Sequence, residues 1–530
     1  MYTLGDIPRK WAKWAPDREC LVCYSYGENR FSWREFNSNV NRLANALLEM
    51  GLKKGDHLAI LMENCYQFLQ LYFAAFKTGI VPVPLNYRLA PREMLYIIDN
   101  SDAVGFVVGP EYIDLTLKSL KPELKKVKYY VSLSERVEGM TLYEDLIEKG
   151  SPEEPSVEVD EDDLAFLLYT GGTTGLPKGC MLTHRNLMTA VMDAVLTSSR
   201  TQLVPKGNPE EDTTLFILPM FHISVWPILM FFFQGYRVVN IKRIDISDIL
   251  EKIEKEKVTH MNAVPTIFWL LVNHPDVEKY DLSSIKAFSW AGAPMPTELL
   301  KQCIDKLASF MTSGFGATEG IPWCTLLADD YAVEGPEEKV RRLRSVGKET
   351  MLGKVRVVNP EGKDVKSGEV GEVIIKSKST MVGYWKNPEL TKQAIRDGWL
   401  YTGDMGTVDE GGYVYLLDRK ADMIKSGGER VYPFEVENVL YMHPAIAEAS
   451  VIGVPDPKWG EAVKAVIYLK PEYKDKDKKE LEKELIEFCH EQIAGYKCPK
   501  TVDFTDSPLP KSLIGKILRR QIREKYQKSE

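Results

Sequence analysis

Tyr169-Thr170-Gly171-Gly172-Thr173-Thr174-Gly175-Leu176-Pro177-Lys178-Gly179 is the stretch of this sequence whose chemistry is most explicit. Glycines bare backbone N–H groups, threonines add hydroxyls and Lys178 adds a cation, a combination that wraps phosphate oxygens. The run is not a Walker A loop, because two residues separate Gly175 from Lys178 and no GK[ST] ending follows. An ordinary glycine-rich turn would account for a four-residue match, but not for eleven residues of coherent chemistry. A second loop, Gly314-Phe315-Gly316-Ala317-Thr318-Glu319, brings together an aromatic face, a hydroxyl and one carboxylate. One carboxylate plus phosphate oxygens is the usual setting for magnesium beside a polyphosphate. A GxG turn with a chance acid explains that loop alone; it explains the two loops together poorly.

Further segments follow in a consistent order, from Phe31-Ser32-Trp33-Arg34-Glu35 to the C-terminus, and here the chain resembles the adenylate-forming superfamily: acyl- and aryl-CoA synthetases, firefly luciferase and nonribosomal peptide adenylation domains. The resemblance covers nearly the whole chain. It implies ATP and CoA as co-substrates, Mg²⁺ as cofactor, and an ATP/AMP site built from Thr170, Gly171, Gly172, Thr173, Thr174, Gly175 and Lys178. Gly171 stands where the family usually has Ser, which removes one hydroxyl and leaves the backbone donors. In the second loop the resemblance puts Phe315, between Gly314 and Gly316, on the adenine in place of the commoner Tyr. Thr318 then meets the α-phosphate, and Glu319 holds the metal.

The same resemblance assigns Gly292, Ala293 and Pro294 to the adenine pocket and Asp404 and Arg419 to the ribose, a carboxylate being a suitable acceptor for a diol. Lys516, in Pro510-Lys511-Ser512-Leu513-Ile514-Gly515-Lys516, matches the adenylation lysine. A mobile ammonium can stabilise the charge that builds when a carboxylate attacks phosphorus. By composition alone Lys516 is one basic residue in a basic tail. Lys425, Ser426, Gly427 and Gly428 match the loop that lines the CoA pantetheine tunnel in the second half-reaction, where glycines suit a narrow channel. Ala421 replaces the Asp or Lys usual at the hinge and leaves open which residue bears the rotation.

Phe221, His222, Trp226 and Trp290 fall where the superfamily builds its acyl pocket. Amino-acid adenylation domains typically carry Asp at the position of His222, so an α-amino acid is disfavoured. His222 is either a pocket wall or a packed core histidine. Aromatic bulk from Trp226, Trp290 and Trp323 points to a compact hydrophobic acid, aryl, alicyclic or of short to medium chain. The leading expectation is an AMP-forming carboxylate–CoA ligase. A stand-alone enzyme loading a carrier protein, a long-chain fatty acyl-CoA synthetase and a nucleotide-binding scaffold remain alternatives, and a homodimer is open.

The elements that must hold these loops are legible as patterns. Apolar residues at helical spacing from Phe36 to Leu48, a short strand His57–Met62, a helix ending at Lys77-Thr78-Gly79 and an extended Ile80–Pro84 imply βαβ crossovers. The rhythm recurs from Ala165 to about Leu300, with a strand before the phosphate loop and a helix starting near Asn186 after it. Residues 347–415 read as short strands and turns. The expected fold is α/β: a large N-terminal domain, 1–417, of βαβ-type sheets plus a small β-rich unit, and a small mobile α+β C-terminal domain, 418–530.

Composition narrows the class. With 68 Lys and Arg against 76 Asp and Glu, the net charge of −8 argues against a nucleic-acid binder. Cys20 and Cys23 form a CxxC with no partner to complete a zinc site, and 8 cysteines in 530 residues fit a reducing compartment. The apolar run 215–233 is interrupted by Pro219, His222 and Pro227 and reads as strand–loop–helix rather than a membrane span. With no signal-peptide pattern at the start, a cytoplasmic protein is expected.

Overall fold

The computed structural model describes residues 2–170, 177–292, 295–419, 422–511 and 517–527. The βαβ reading holds. Strand His57–Leu61, wholly buried, leads into helix Tyr66–Thr78, which stops at Gly79 with φ of 69°, and the chain returns in the parallel strand Val81–Pro84. This unit lies in a five-stranded parallel sheet. A nine-stranded sheet forms the second layer. Its parallel strands include Thr213–Phe216, Arg237–Asn240, His260–Ala263, Ala287–Ala291 and Met311–Ala317. Their apolar character follows from burial by crossover helices.

The run 215–233 is indeed strand, turn and helix, the helix spanning Trp226–Gln234. Among the described residues no helix is long and apolar enough to cross a membrane. Cys20 and Cys23 lie in the first strand of a hairpin, Glu19–Cys23 with Asn29–Ser32, as their alternation suggests. All eight cysteines are free and buried. Burial pushes the thiols of Cys303 and Cys489 up to about 12, and those of Cys20 and Cys180 well above the ordinary range.

The phosphate-loop segment follows a strand and precedes a helix, as expected, and the structure adds an element between them: strand Leu164–Thr170 pairs antiparallel with a second strand, Lys178–Thr183. Helix His184–Ser198 begins only after that, with Thr183 Oγ1 accepting from the Asn186 N–H and the Asn186 side chain accepting from the Thr183 N–H. The β-rich unit is an antiparallel sheet of Gly353–Val358, Gly371–Ser377, Trp399–Val408 and Val414–Arg419, with a short fifth strand. A first hydrophobic core gathers buried residues from Leu4 to Val414, and a separate one gathers Ile424 to Val502 around helices Pro433–Met442 and Lys478–Gln492.

Candidate active site

A cleft of about 2590 Å³ runs along the carboxyl ends of the parallel strands and continues down one face of their sheet. Thr318 and Glu319 are the two connecting residues of a hairpin between strands Met311–Ala317 and Gly320–Leu326, where Ala317 pairs with Gly320. Thr318 is buried at the cleft wall. Glu319 is fixed twice: its carbonyl accepts the Met381 N–H at 2.8 Å, and its Oε1 accepts the Tyr384 hydroxyl at 2.8 Å.

Tyr384 belongs to the short strand Gly383–Tyr384, which pairs with the strand carrying Lys178. The Lys178 ammonium lies 5.9 Å from the centre of the Tyr384 ring. Thr170 and Lys178 therefore face the same space as Glu319. Tyr384 was not singled out in the sequence; nothing local marks it, since its role comes from strand pairing.

Phe315 is half-buried and meets Trp323 edge-on, with ring centres 5.3 Å apart, and borders the cleft with Gly314 and Gly316. Asp404 is buried on strand Trp399–Val408 and lies directly opposite Arg419 in the ladder with Val414–Arg419. The Asp404 N–H donates to Thr402 Oγ1 at 3.0 Å, and that hydroxyl donates to the Val373 carbonyl at 2.7 Å. Gly292 also borders the cleft. Gly171, Gly172, Thr173, Thr174, Gly175, Ala293, Pro294, Ala421 and Lys516 lie outside the described residues.

Phe221, His222 and Trp226 come from the turn into helix Trp226–Gln234 and border the cleft. His222 Nδ1 accepts the Ser224 N–H at 3.3 Å, so its proton sits on Nε2, and desolvation holds the imidazole at about 4, neutral at ordinary pH. Trp226 is half-buried and does not end the cleft, because Met230 and Gln234 farther along the helix border it too. Trp290 borders it as well, but the strand's alternation sets Trp290 out of phase with Ser289, on the side of buried Phe288. Trp323 is buried away from the cleft, against Phe315. The closed aromatic pocket expected from these residues is therefore a longer channel.

The C-terminal residues divide. Lys425, Ser426, Gly427 and Gly428 do not border the cleft in this arrangement. They form a tight hairpin in which Ser426 pairs with Glu429 and both central glycines have positive φ, 61° and 88°. That is the signature of a type I′ turn, so the glycines satisfy a backbone requirement first. The C-terminal unit instead presents helix Pro433–Met442 together with Lys511, Ile517 and Arg519. Lys511 bridges to Ile517 across the intervening segment and pairs with Glu448 at 2.5 Å. Arg519 is held by Glu437 at 2.8 Å and Asp422 at 3.3 Å.

Comparison with known proteins agrees with this geometry. Residues 8–385 match the model described as AMP-binding enzyme, and residues 435–516 match that described as AMP-binding enzyme C-terminal domain. The chain is 33% identical over 526 residues to a feruloyl-CoA synthase of Amycolatopsis sp, covering 99% of each. It is 34% identical over 533 residues to the long-chain-fatty-acid–CoA ligase FadD13 of Mycobacterium tuberculosis, again covering 99% of each. Among solved structures, the anthranilate CoA ligase AuaEII in complex with anthranoyl-AMP is similar with a TM-score of 0.89 at 27% identity, over 99% of this chain and 97% of that one.

Proposed function

This chain belongs to the AMP-binding enzymes, and we propose that it is an AMP-forming acid–CoA ligase whose two half-reactions are served by different faces of its C-terminal unit. In the first, a carboxylate attacks the α-phosphorus of ATP, an acyl-adenylate forms and pyrophosphate leaves. In the second, the CoA thiol attacks the acyl carbonyl and AMP leaves. The observation that carries this reading is the convergence of Lys178, Thr318, Glu319 and Asp404 on one cleft from three different segments.

In this reading Thr170, Lys178 and the glycines of the phosphate loop cradle the phosphates, and Thr318 donates to the α-phosphate. Phe315 covers the adenine beside Gly292, and Asp404 with Arg419 receives the ribose. Glu319 fits a hard divalent cation: Tyr384 holds one carboxylate oxygen, the other is a ligand of the right hardness, and no cluster of three acidic or imidazole groups exists among the described residues. Mg²⁺ in that setting would draw its remaining ligands from phosphate and water and would offset phosphate charge. Lys516 takes the adenylation role, since Lys511 and Ile517 on either side of it border the cleft.

Lys425–Gly428 would serve CoA after residues 418–530 turn relative to 1–417, bringing the type I′ hairpin to the cleft. The acid is assigned to the channel beside helix Trp226–Gln234, whose length admits extended as well as compact acyl groups. Eight thiols with no disulfide suit a reducing cytoplasm. Pyrophosphate release and AMP formation across a panel of carboxylic acids, with CoA or a carrier protein as acceptor, test the proposal. AMP formation that needs an acid and CoA supports it; acceptance of a carrier protein but not CoA would refute it.

A further inference from the structure

Beyond the nucleotide loops, the cleft is floored by three parallel strands, His260–Ala263, Ala287–Ala291 and Met311–Ala317. Their residues alternate. Met261, Phe288 and Met311 pair in register and are buried in the core, whereas His260, Asn262, Ser289 and Thr312 border the cleft. Asn262 lies opposite Ser289, and Ser289 opposite Thr312, so three polar side chains form a row across the floor. The Ser289 and Thr312 hydroxyls are 2.6 Å apart, one donating to the other, which leaves one proton and several lone pairs facing outward. Asn262 makes no side-chain hydrogen bond among the described residues.

Helix Trp226–Gln234 forms the facing wall. It follows strand Thr213–Phe216 and runs back against the strand direction, and its later turn meets the strand starts where Phe231 and His260 have ring centres 5.8 Å apart. Trp226, Met230 and Gln234, spaced four apart, turn one stripe of that helix to the cleft. At 1.5 Å per residue the channel beside it is about 12 Å long.

The two walls want different things. The helix side is aromatic and aliphatic for most of its length; the sheet side carries an amide and two hydroxyls. A pure hydrocarbon would bury its faces against the first and strip water from the second, leaving the Asn262 amide unpaired. We propose that the acid activated here carries a hydrogen-bonding oxygen, a hydroxyl or carbonyl, on the part of its acyl group that reaches the Asn262–Ser289–Thr312 row. This rests on the CoA-ligase reading above and names the substrate class for that site.

The test compares kcat/KM, read as AMP formation, for matched acids: octanoate against 3-hydroxyoctanoate and 8-hydroxyoctanoate, and cinnamate against 4-hydroxycinnamate. At least one hydroxy acid should exceed its parent by about tenfold or more, because a site built to pair a hydroxyl discriminates against the analogue lacking it. Asn262→Leu should bring that ratio toward one. Ser289→Ala, which deletes a single oxygen, carries the same expectation if the leucine prevents folding. Parents equal to or better than every hydroxy acid overturn the inference and leave the ligase reading intact, as does a preference that neither substitution alters. Absence of AMP formation with every acid in the panel overturns both.

Discussion

Replacing Tyr384 by Phe removes the hydroxyl that tethers Glu319. The hydroxyl donates to Glu319 Oε1 at 2.8 Å, an ordinary length for a charge-assisted contact, and Tyr384 is itself buried. Phe keeps the ring, its place opposite Cys180 in the ladder and its face toward Lys178. What is lost is the tether that orients the carboxylate. Hydrogen bonds to charged groups contribute about 1.5–3 kcal/mol. At about 1.4 kcal/mol per tenfold, the loss corresponds to roughly a 10- to 150-fold decrease in kcat/KM if the tether matters most in the transition state. Initial rates of pyrophosphate release, measured across ATP and Mg²⁺ concentrations, should show that decrease together with a higher Mg²⁺ requirement. The melting temperature should move little, because packing is retained. A variant within twofold of wild type at every Mg²⁺ concentration would show that Glu319 needs no such tether and would refute the positioning role given to Tyr384.

Lys516→Ala should abolish pyrophosphate release yet spare thioester formation from a presynthesised acyl-adenylate; equal losses in both assays would overturn the division between the two C-terminal loops. Gly428→Ala should cost about 1 kcal/mol in denaturant unfolding and Gly428→Asn less, because φ of 88° suits Asn better than Ala; equal costs would contradict the type I′ assignment. His184 is fully buried, its Nδ1 accepts the Leu4 N–H at 3.3 Å, and desolvation lowers it to about 4. The unfolded chain therefore takes up a proton first as pH falls, so stability is full above about 6.5 and declines toward 4, by about 3 kcal/mol at most for this group. Urea midpoints at pH 7.5, 6 and 5 should show a shallower decline for His184→Gln than for wild type, and identical declines would refute the assignment.

Much of the fold was legible because burial leaves a local trace. His57–Leu61 and Thr213–Phe216 read as buried strands from short apolar runs, and Gly79 marks its helix end by chemistry alone. The nucleotide loops were legible for a similar reason: Thr318 and Glu319 are adjacent, and Lys178 closes a glycine-rich run. Long-range pairing was not legible. Strand Lys178–Thr183 reads as the tail of a loop until it is set against Leu164–Thr170, and Tyr384 gains meaning only beside that strand. Pleat phase was equally hidden. An indole next to the adenine segment suggests a pocket wall, and Trp290 does border the cleft, but only register shows that Asn262, Ser289 and Thr312 line its floor as well. That Gly427 and Gly428 form a tight turn was not legible either, since it shows only in their two positive φ angles.

The burial of every cysteine has a consequence for chemical fidelity. An acyl-adenylate is a mixed anhydride that acylates whichever thiolate reaches it first, including any on the protein that made it. Here all eight sulfurs are buried and free, and at Cys180, on the strand that begins with Lys178, desolvation raises the thiol well above its ordinary value. The Cys180 thiol stays protonated, and all eight buried sulfurs stay out of reach, while the anhydride waits in the cleft. The incoming thiol of the second substrate then meets no competitor from the polypeptide, so self-acylation is avoided by the placement of sulfur rather than by the speed of transfer.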